Sequence, residues 1–136
     1  MSEENVEIIG AYYEAYRRRG EMNDDVLQYL DPDVVCRPGV PTPDSETEYR
    51  GRQAFRGFVE EIVTGSWESV TIEPRELIEL EDGRVLSLDQ WLFRGRDRIE
   101  IERELQQIYT LRDGLITRID GFDNRAEALE AAGLQG

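Results

Sequence analysis

The sequence predicts an α+β fold, with helices packed on one face of an antiparallel sheet. Three observations predict it. Apolar residues recur at helical spacing as far as about Thr64, and at spacing two from Ser69 onward. Asp82-Gly83 and Asp113-Gly114 each sit between alternating runs, where a D-G pair signals a tight hairpin turn. No repeat, linker or low-complexity segment divides the chain, so residues 1–136 read as a single domain.

Ser2, with Glu3 and Glu4 behind it, reads as an N-cap with acids in the first turn, where the helix dipole favours them. Val6, Ile9, Tyr13 and Tyr16 then mark one face of a helix to about Arg19, which Gly20 ends. Asn23-Asp24-Asp25 starts a short second helix carrying Val26, Leu27 and Leu30, stopped by Pro32. Val34 to Arg37 reads as a strand, and the prolines and glycine from Pro38 to Pro43 make the stretch to Tyr49 a loop. Phe55, Phe58, Val59 and Ile62 give a third helix its apolar face, from about Arg52 to Thr64, with Gly65 as its stop. Strands of about Ser69 to Leu80 and Arg84 to Arg94 follow, then the hairpin from Ile99 to Asp123. Asn124 with Glu127 resembles a capping box for a last helix, and Gly133-Leu134 its C-terminal cap.

Composition narrows the chemistry. At 136 residues, 39% hydrophobic and 34% charged, the chain can bury a core without disulfides or metals. No apolar run reaches the roughly 20 residues of a membrane span, and Met1-Ser-Glu-Glu-Asn lacks the pattern of a signal peptide, so a cytoplasmic location is expected. Net charge is −14 and every basic residue is Arg, which argues against nucleic-acid or anionic-membrane partners. Cys36 is alone, so no internal disulfide forms. Without His or Lys there is no imidazole base, Schiff base, P-loop lysine or zinc site of the usual kind. No metal or cofactor is expected, and acid–base chemistry falls to Asp, Glu, Tyr or Cys36.

The hairpin at Asp113-Gly114 carries the strongest candidates. With a two-residue turn Arg112 pairs with Leu115, and counting back pairs Tyr109 with Arg118, Gln107 with Asp120 and Leu105 with Phe122. Register decides the face, because a slip by one residue turns every side chain over. On this count Asp120 and Gln107 sit side by side among Leu105, Tyr109 and Phe122, an acid and an amide on an apolar pocket wall. Desolvation would raise the pKa of such an acid toward neutrality and suit it to proton transfer. The structural alternative is an anion held by Arg118, Arg125 or a backbone amide.

Counted the same way across Asp82-Gly83, Glu76 lies opposite Asp89, a carboxylate pair of the kind used in acid–base sites. Arg103 lies diagonally from Asp89, and an Asp89–Arg103 ion pair is the preferred structural reading. Tyr12, Tyr13 and Tyr16 stripe the first helix and read as core. Trp91, with Trp67, reads as a core or pocket wall able to stack on a planar ligand. Glu100, Glu102 and Glu104 alternate on the face opposite Ile101, Arg103 and Leu105, as a solvated or dimer-facing charged surface. Cys36 beside Arg37 reads as a packed thiol.

N-V-E-I-I-G-A-Y-Y-E-A-Y at the start, L-D-P-D-V-V after the second helix, Y-R-G-R-Q-A-F in the third, and Y-T-L-R-D-G with E-A-L-E-A-A-G-L at the end follow a familiar order. In it the chain resembles the SnoaL-like branch of the nuclear-transport-factor-2-like superfamily. The resemblance implies a curved antiparallel sheet wrapped around the N-terminal helices into a cone, a cystatin-like α+β roll. It also implies a pocket for a hydrophobic small molecule inside the cone, and a homodimer.

Residues carry over unevenly. Tyr13 matches the helix-one tyrosine that polarises the carbonyl in ketosteroid isomerases, but their base falls on Arg37 and their protonated aspartic acid on Gln107. Arg cannot abstract a proton at neutral pH, which disfavours that isomerisation. The Arg and Asp of limonene-type epoxide hydrolases fall on Asp89 and Trp91. The last-strand aspartate of hydrolases and cyclases falls on Gly121 by strict count, and on Asp120 if one residue is deleted, which the hairpin register favours. The Gln and His of SnoaL-type cyclases fall on Leu105 and Gln107. Two functions stay open. One is a cofactor-free isomerase, cyclase or dehydratase with Asp120 moving the proton and Tyr13 and Gln107 orienting the substrate; the other is a non-catalytic binding or dimerisation module.

Overall fold

The computed structural model describes residues 2–39, 48–61 and 67–134. Helix α1 (Ser2–Arg19) buries Ile9, Tyr12, Tyr13 and Tyr16 along one face. At its end Gly20 adopts φ +68°, which brings its N–H to the Tyr16 carbonyl at 2.7 Å. Helix α2 (Asp24–Leu27) is capped by the Asn23 side chain on the Val26 N–H. It is shorter than the sequence predicts: Leu30 and Pro32 already belong to strand β1 (Leu30–Arg37). Pro32 donates no hydrogen bond, and it lies where the pairing of β1 with its neighbour is interrupted, between Leu30 and Val35.

A two-residue strand that the sequence pattern hides, β2 (Tyr49–Arg50), pairs with β1. Helix α3 (Arg52–Glu60) follows with Phe55 buried; its expected end at Thr64 and stop at Gly65 lie outside the described residues. Strands β3 (Ser69–Glu79), β4 (Val85–Arg94), β5 (Glu100–Arg112) and β6 (Leu115–Phe122) form the antiparallel meander. The six strands run in the order β2-β1-β6-β5-β4-β3, and β1 lies parallel to β6. The sheet is therefore mixed rather than wholly antiparallel.

Alternation gives the sheet two apolar faces. The inner one, with Val34, Val85, Tyr109 and Ile116, packs on α1 and α2. Contrary to the expectation that helices occupy one face, helix α4 (Arg125–Ala131) sets Ala128 and Ala132 against Leu86, Leu88 and Ile108 on the outer face. Its ends match the sequence signals. Asn124 accepts from the Glu127 N–H at 3.0 Å, and Gly133, at φ +81°, lets the Leu134 N–H reach the Leu129 carbonyl. Each fully buried Leu or Ile contributes roughly 1.5–3 kcal/mol, so α4 fixes the outer face as α1 fixes the inner one.

Candidate functional site

Between α1, α3 and the inner face of β3–β6 lies an apolar cavity of about 290 Å³. Trp67, Trp91 and Phe93 form a run of ring contacts along its β-side wall, with centroids 5.2 and 5.8 Å apart. The inward residues of β5, namely Ile101, Arg103, Leu105, Gln107 and Tyr109, form a column from mouth to base. Among the described residues, no carboxylate lines the cavity.

A buried polar cluster closes the base. Tyr109 donates its hydroxyl to Tyr13 at 2.7 Å, and Tyr13 donates to Asp89 at 2.7 Å. Ser87 also donates to Asp89, and the Trp91 Nε1 lies 3.4 Å from the same carboxylate. Asp89 is 3% exposed and lies behind Tyr13, off the cavity wall. Burial pushes its carboxyl up to about 6, with the Ser87, Tyr13 and Trp91 donors holding it back. Burial likewise raises the Tyr13 and Tyr109 hydroxyls well above the ordinary tyrosine value, the Asp89 charge adding to both. Cys36, on the cavity wall, is pushed up to about 12, first by burial and then by the charge of Asp120, so its thiol stays protonated.

The hairpin register differs from the sequence count. Arg112 does pair with Leu115 across Asp113-Gly114, but Tyr109 pairs with Ile119, Gln107 with Gly121 and Gln106 with Phe122. The break lies at Thr117, which has no partner on β5 and donates its hydroxyl to the Thr110 carbonyl. This one extra residue turns Asp120 to the outer face, opposite Ile108, where Arg118 donates to it at 2.9 Å. Asp120 and Gln107 are therefore not neighbours, and Leu105 does not face Phe122. Gly121 takes the inward position, as the strict family count has it.

A Cβ on Gly121 would sit 2.5 Å from the Gly39 nitrogen, so the backbone at Gly39 closes over β6 at this point. Phe122 borders the cavity there and packs with the outer cluster.

The carboxylate pair is not formed either. The Asp82-Gly83 turn is one residue longer than the two-residue count, with Leu80 rather than Glu81 meeting Arg84, so Glu76 stands opposite Leu88; Arg75 then bulges from β3 and leaves Pro74 opposite Asp89. Nor does Arg103 pair with Asp89: it stands opposite Trp91 at the mouth, without an ion-pair partner among the described residues. Leu105 is the residue opposite Asp89, and Gln107 faces the cavity with its amide unpartnered among those residues. Ser87 goes unnoticed in the sequence, although S-L-D places it two residues before Asp89 on one strand face. The described residues hold no group of three or more His, Cys, Asp or Glu side chains able to bind a metal ion.

The sequence that folds this way is matched by a known family. The SnoaL-like domain model matches residues 9–119. The chain belongs to the SnoaL-like domain family. Solved structures agree at the level of fold. TerC, co-crystallized with polyporic acid, is 22% identical with a TM-score of 0.76, over 95% of this chain and 97% of TerC. Bal32a, from a soil-derived mobile gene cassette, is 13% identical with a TM-score of 0.79, over 96% and 97%. RV0760c from Mycobacterium tuberculosis, in complex with estradiol-17beta-hemisuccinate, is 14% identical with a TM-score of 0.72, over 90% and 95%. No curated protein matches the chain. In this SnoaL-like chain the wall is apolar, the base is a closed tyrosine–aspartate cluster, and the last-strand inward position is glycine.

Proposed function

We propose that this SnoaL-like domain captures a small, planar, largely apolar molecule in its cone, and that binding rather than proton transfer is its activity. The observation that carries the reading is the cavity wall itself: aromatic on several sides, with no carboxylate among its described residues. Asp120, the acid with the best sequence argument, is engaged by Arg118 on the other face of the sheet, which supports a structural part for it. That TerC was crystallized with polyporic acid and RV0760c with an estradiol ester is consistent with a ligand-holding cone. The homodimer that family membership implies belongs to the same proposal. A monomeric mass by light scattering would remove the dimer without touching the pocket.

The test is calorimetric titration with naphthol and with a biphenyl carboxamide. Micromolar binding of either, weakened at least about tenfold by Ile72→Trp, which fills the cavity, is the expected result. Absence of heat from both compounds overturns the proposal.

A second reading has one observation in its favour, the Tyr109–Tyr13–Asp89 chain ending on a carboxyl that titrates near 6. In it Tyr13 hands a proton to a ligand oxygen and Asp89 acts through Tyr13. Turnover of a bound ketone that Asp89→Asn abolishes would favour it over simple capture.

A further inference from the structure

We propose that the ligand is an acid: a rod-shaped aromatic body whose carboxylate is held by Arg103 at the mouth while Gln107 meets a polar group at its inner end. The inference rests on the cavity being a ligand site, and it names the class of ligand.

Arg103 is the charged residue of the described wall. Its chain neighbours Glu102 and Glu104 cannot neutralise it, because alternation along β5 sends them to the outer face. Across the sheet it meets Trp91 rather than an acid. Elsewhere in this acidic chain Arg37, Arg50, Arg84, Arg94 and Arg118 each hold a carboxylate of the protein. Among the described residues Arg103 holds none, so a guanidinium with five donors and no acceptor faces an opening whose described wall carries no acid. A carboxylate fits that fork through two parallel hydrogen bonds, and the indole of Trp91 beside it offers a face to an aromatic ring.

Depth sets the second contact. Gln107 lies four residues farther along β5 on the same face, about 14 Å at strand spacing, less the inward reach of both side chains. Its amide and the Tyr12 hydroxyl have no hydrogen-bond partners among the described residues, and both border the cavity. They supply a donor and an acceptor for a hydroxyl or carbonyl at the far end of the ligand. Between Arg103 and Gln107 the wall is Leu105, with Trp91, Phe93 and Ile72 around it, which demands an apolar body.

The test is calorimetric titration with the para,para′-hydroxybiphenyl carboxylic acid and its carboxamide, at about pH 7.5 and low salt. The acid is expected to bind about 5- to 10-fold more tightly, the size of one partly exposed, well-aligned ion pair. In Arg103→Gln that ratio should fall to within about twofold of unity, and Arg103→Lys, which keeps the charge without the fork, should retain part of it. Gln107→Leu should weaken the acid several-fold and erase its advantage over the analogue lacking the hydroxyl. Equal binding of acid and carboxamide, or a preference that survives Arg103→Gln, overturns this inference and leaves the ligand-binding reading standing. Binding of neither compound overturns this inference, and the ligand-binding reading falls with it only if naphthol is silent as well.

Discussion

Asp89 is a carboxylate with three donors and no cation, and its energetics follow from that imbalance. Desolvation lifts its pKa from the ordinary 3.8 to about 6, so the folded chain keeps a proton that the unfolded chain has released. Stability from this group is therefore full below pH 3.8, falls as pH rises through the interval to about 6, and is lowest above it. The whole interval corresponds to about 3 kcal/mol. Asp89→Asn removes the titration. Urea unfolding should show the wild type losing roughly 1–1.5 kcal/mol more than the variant between about pH 5 and about pH 7.5. A difference between the two proteins that does not change with pH would show that the carboxyl does not titrate there. Tyr13→Phe takes a donor from Asp89 and strands the Tyr109 hydroxyl, at a cost of about 1–3 kcal/mol, whereas Tyr109→Phe removes only the outer link and should cost less. The family resemblance places Tyr13 at the pocket. It cannot show that Tyr13 spends its proton on an aspartate 76 residues away.

At the scale of elements, the placing of the helices, the Asp113-Gly114 turn and both caps of α4 were legible because each is a local signal. Asp113 and Gly114 take φ +53° and +81°, as a two-residue turn demands. The length of the Asp82-Gly83 turn and the bulge at Thr117 were not legible, and each reversed a reading. The extra residue in the Asp82-Gly83 turn separated Glu76 from Asp89, and Thr117 sent Asp120 outward, because one inserted residue inverts a period of two. Threonine is an ordinary strand residue, so nothing in the run I-T-R-I marks it as unpaired.

Two substitutions separate the faces of β6. Asp120→Asn removes a partly exposed ion pair with Arg118 and should change stability by less than about 1 kcal/mol, leaving ligand affinity within about twofold. Gly121→Ala forces a methyl group against the Gly39 backbone and should cost about 1–3 kcal/mol by urea unfolding. An inert Gly121→Ala together with lost binding in Asp120→Asn would mean that the faces are assigned the wrong way round.

For the molecule as a whole, a net charge of −14 governs how stability responds to salt. A chain so acidic repels itself when compact, and the repulsion relaxes on unfolding as charges move apart. Salt screens it: the Debye length shrinks from about 30 Å at 0.01 M to about 3 Å at 1 M. Ion pairs act the other way, since Arg94–Glu100 and Arg56–Glu60 weaken on screening, but exposed pairs contribute little each. Repulsion should dominate, and stability should rise with added sodium chloride. Glu102 and Glu104 test the cause. They stand two apart on the exposed face of β5, opposite Leu92 and Gln90, with no ion-pair partner among the described residues. Replacing both with Gln lowers the charge from −14 to −12 and should shrink the salt dependence of the urea midpoint while raising the midpoint at low salt. A midpoint that falls with salt, or a double variant destabilised at low salt, would instead assign those glutamates to a favourable network holding the outer face of the sheet.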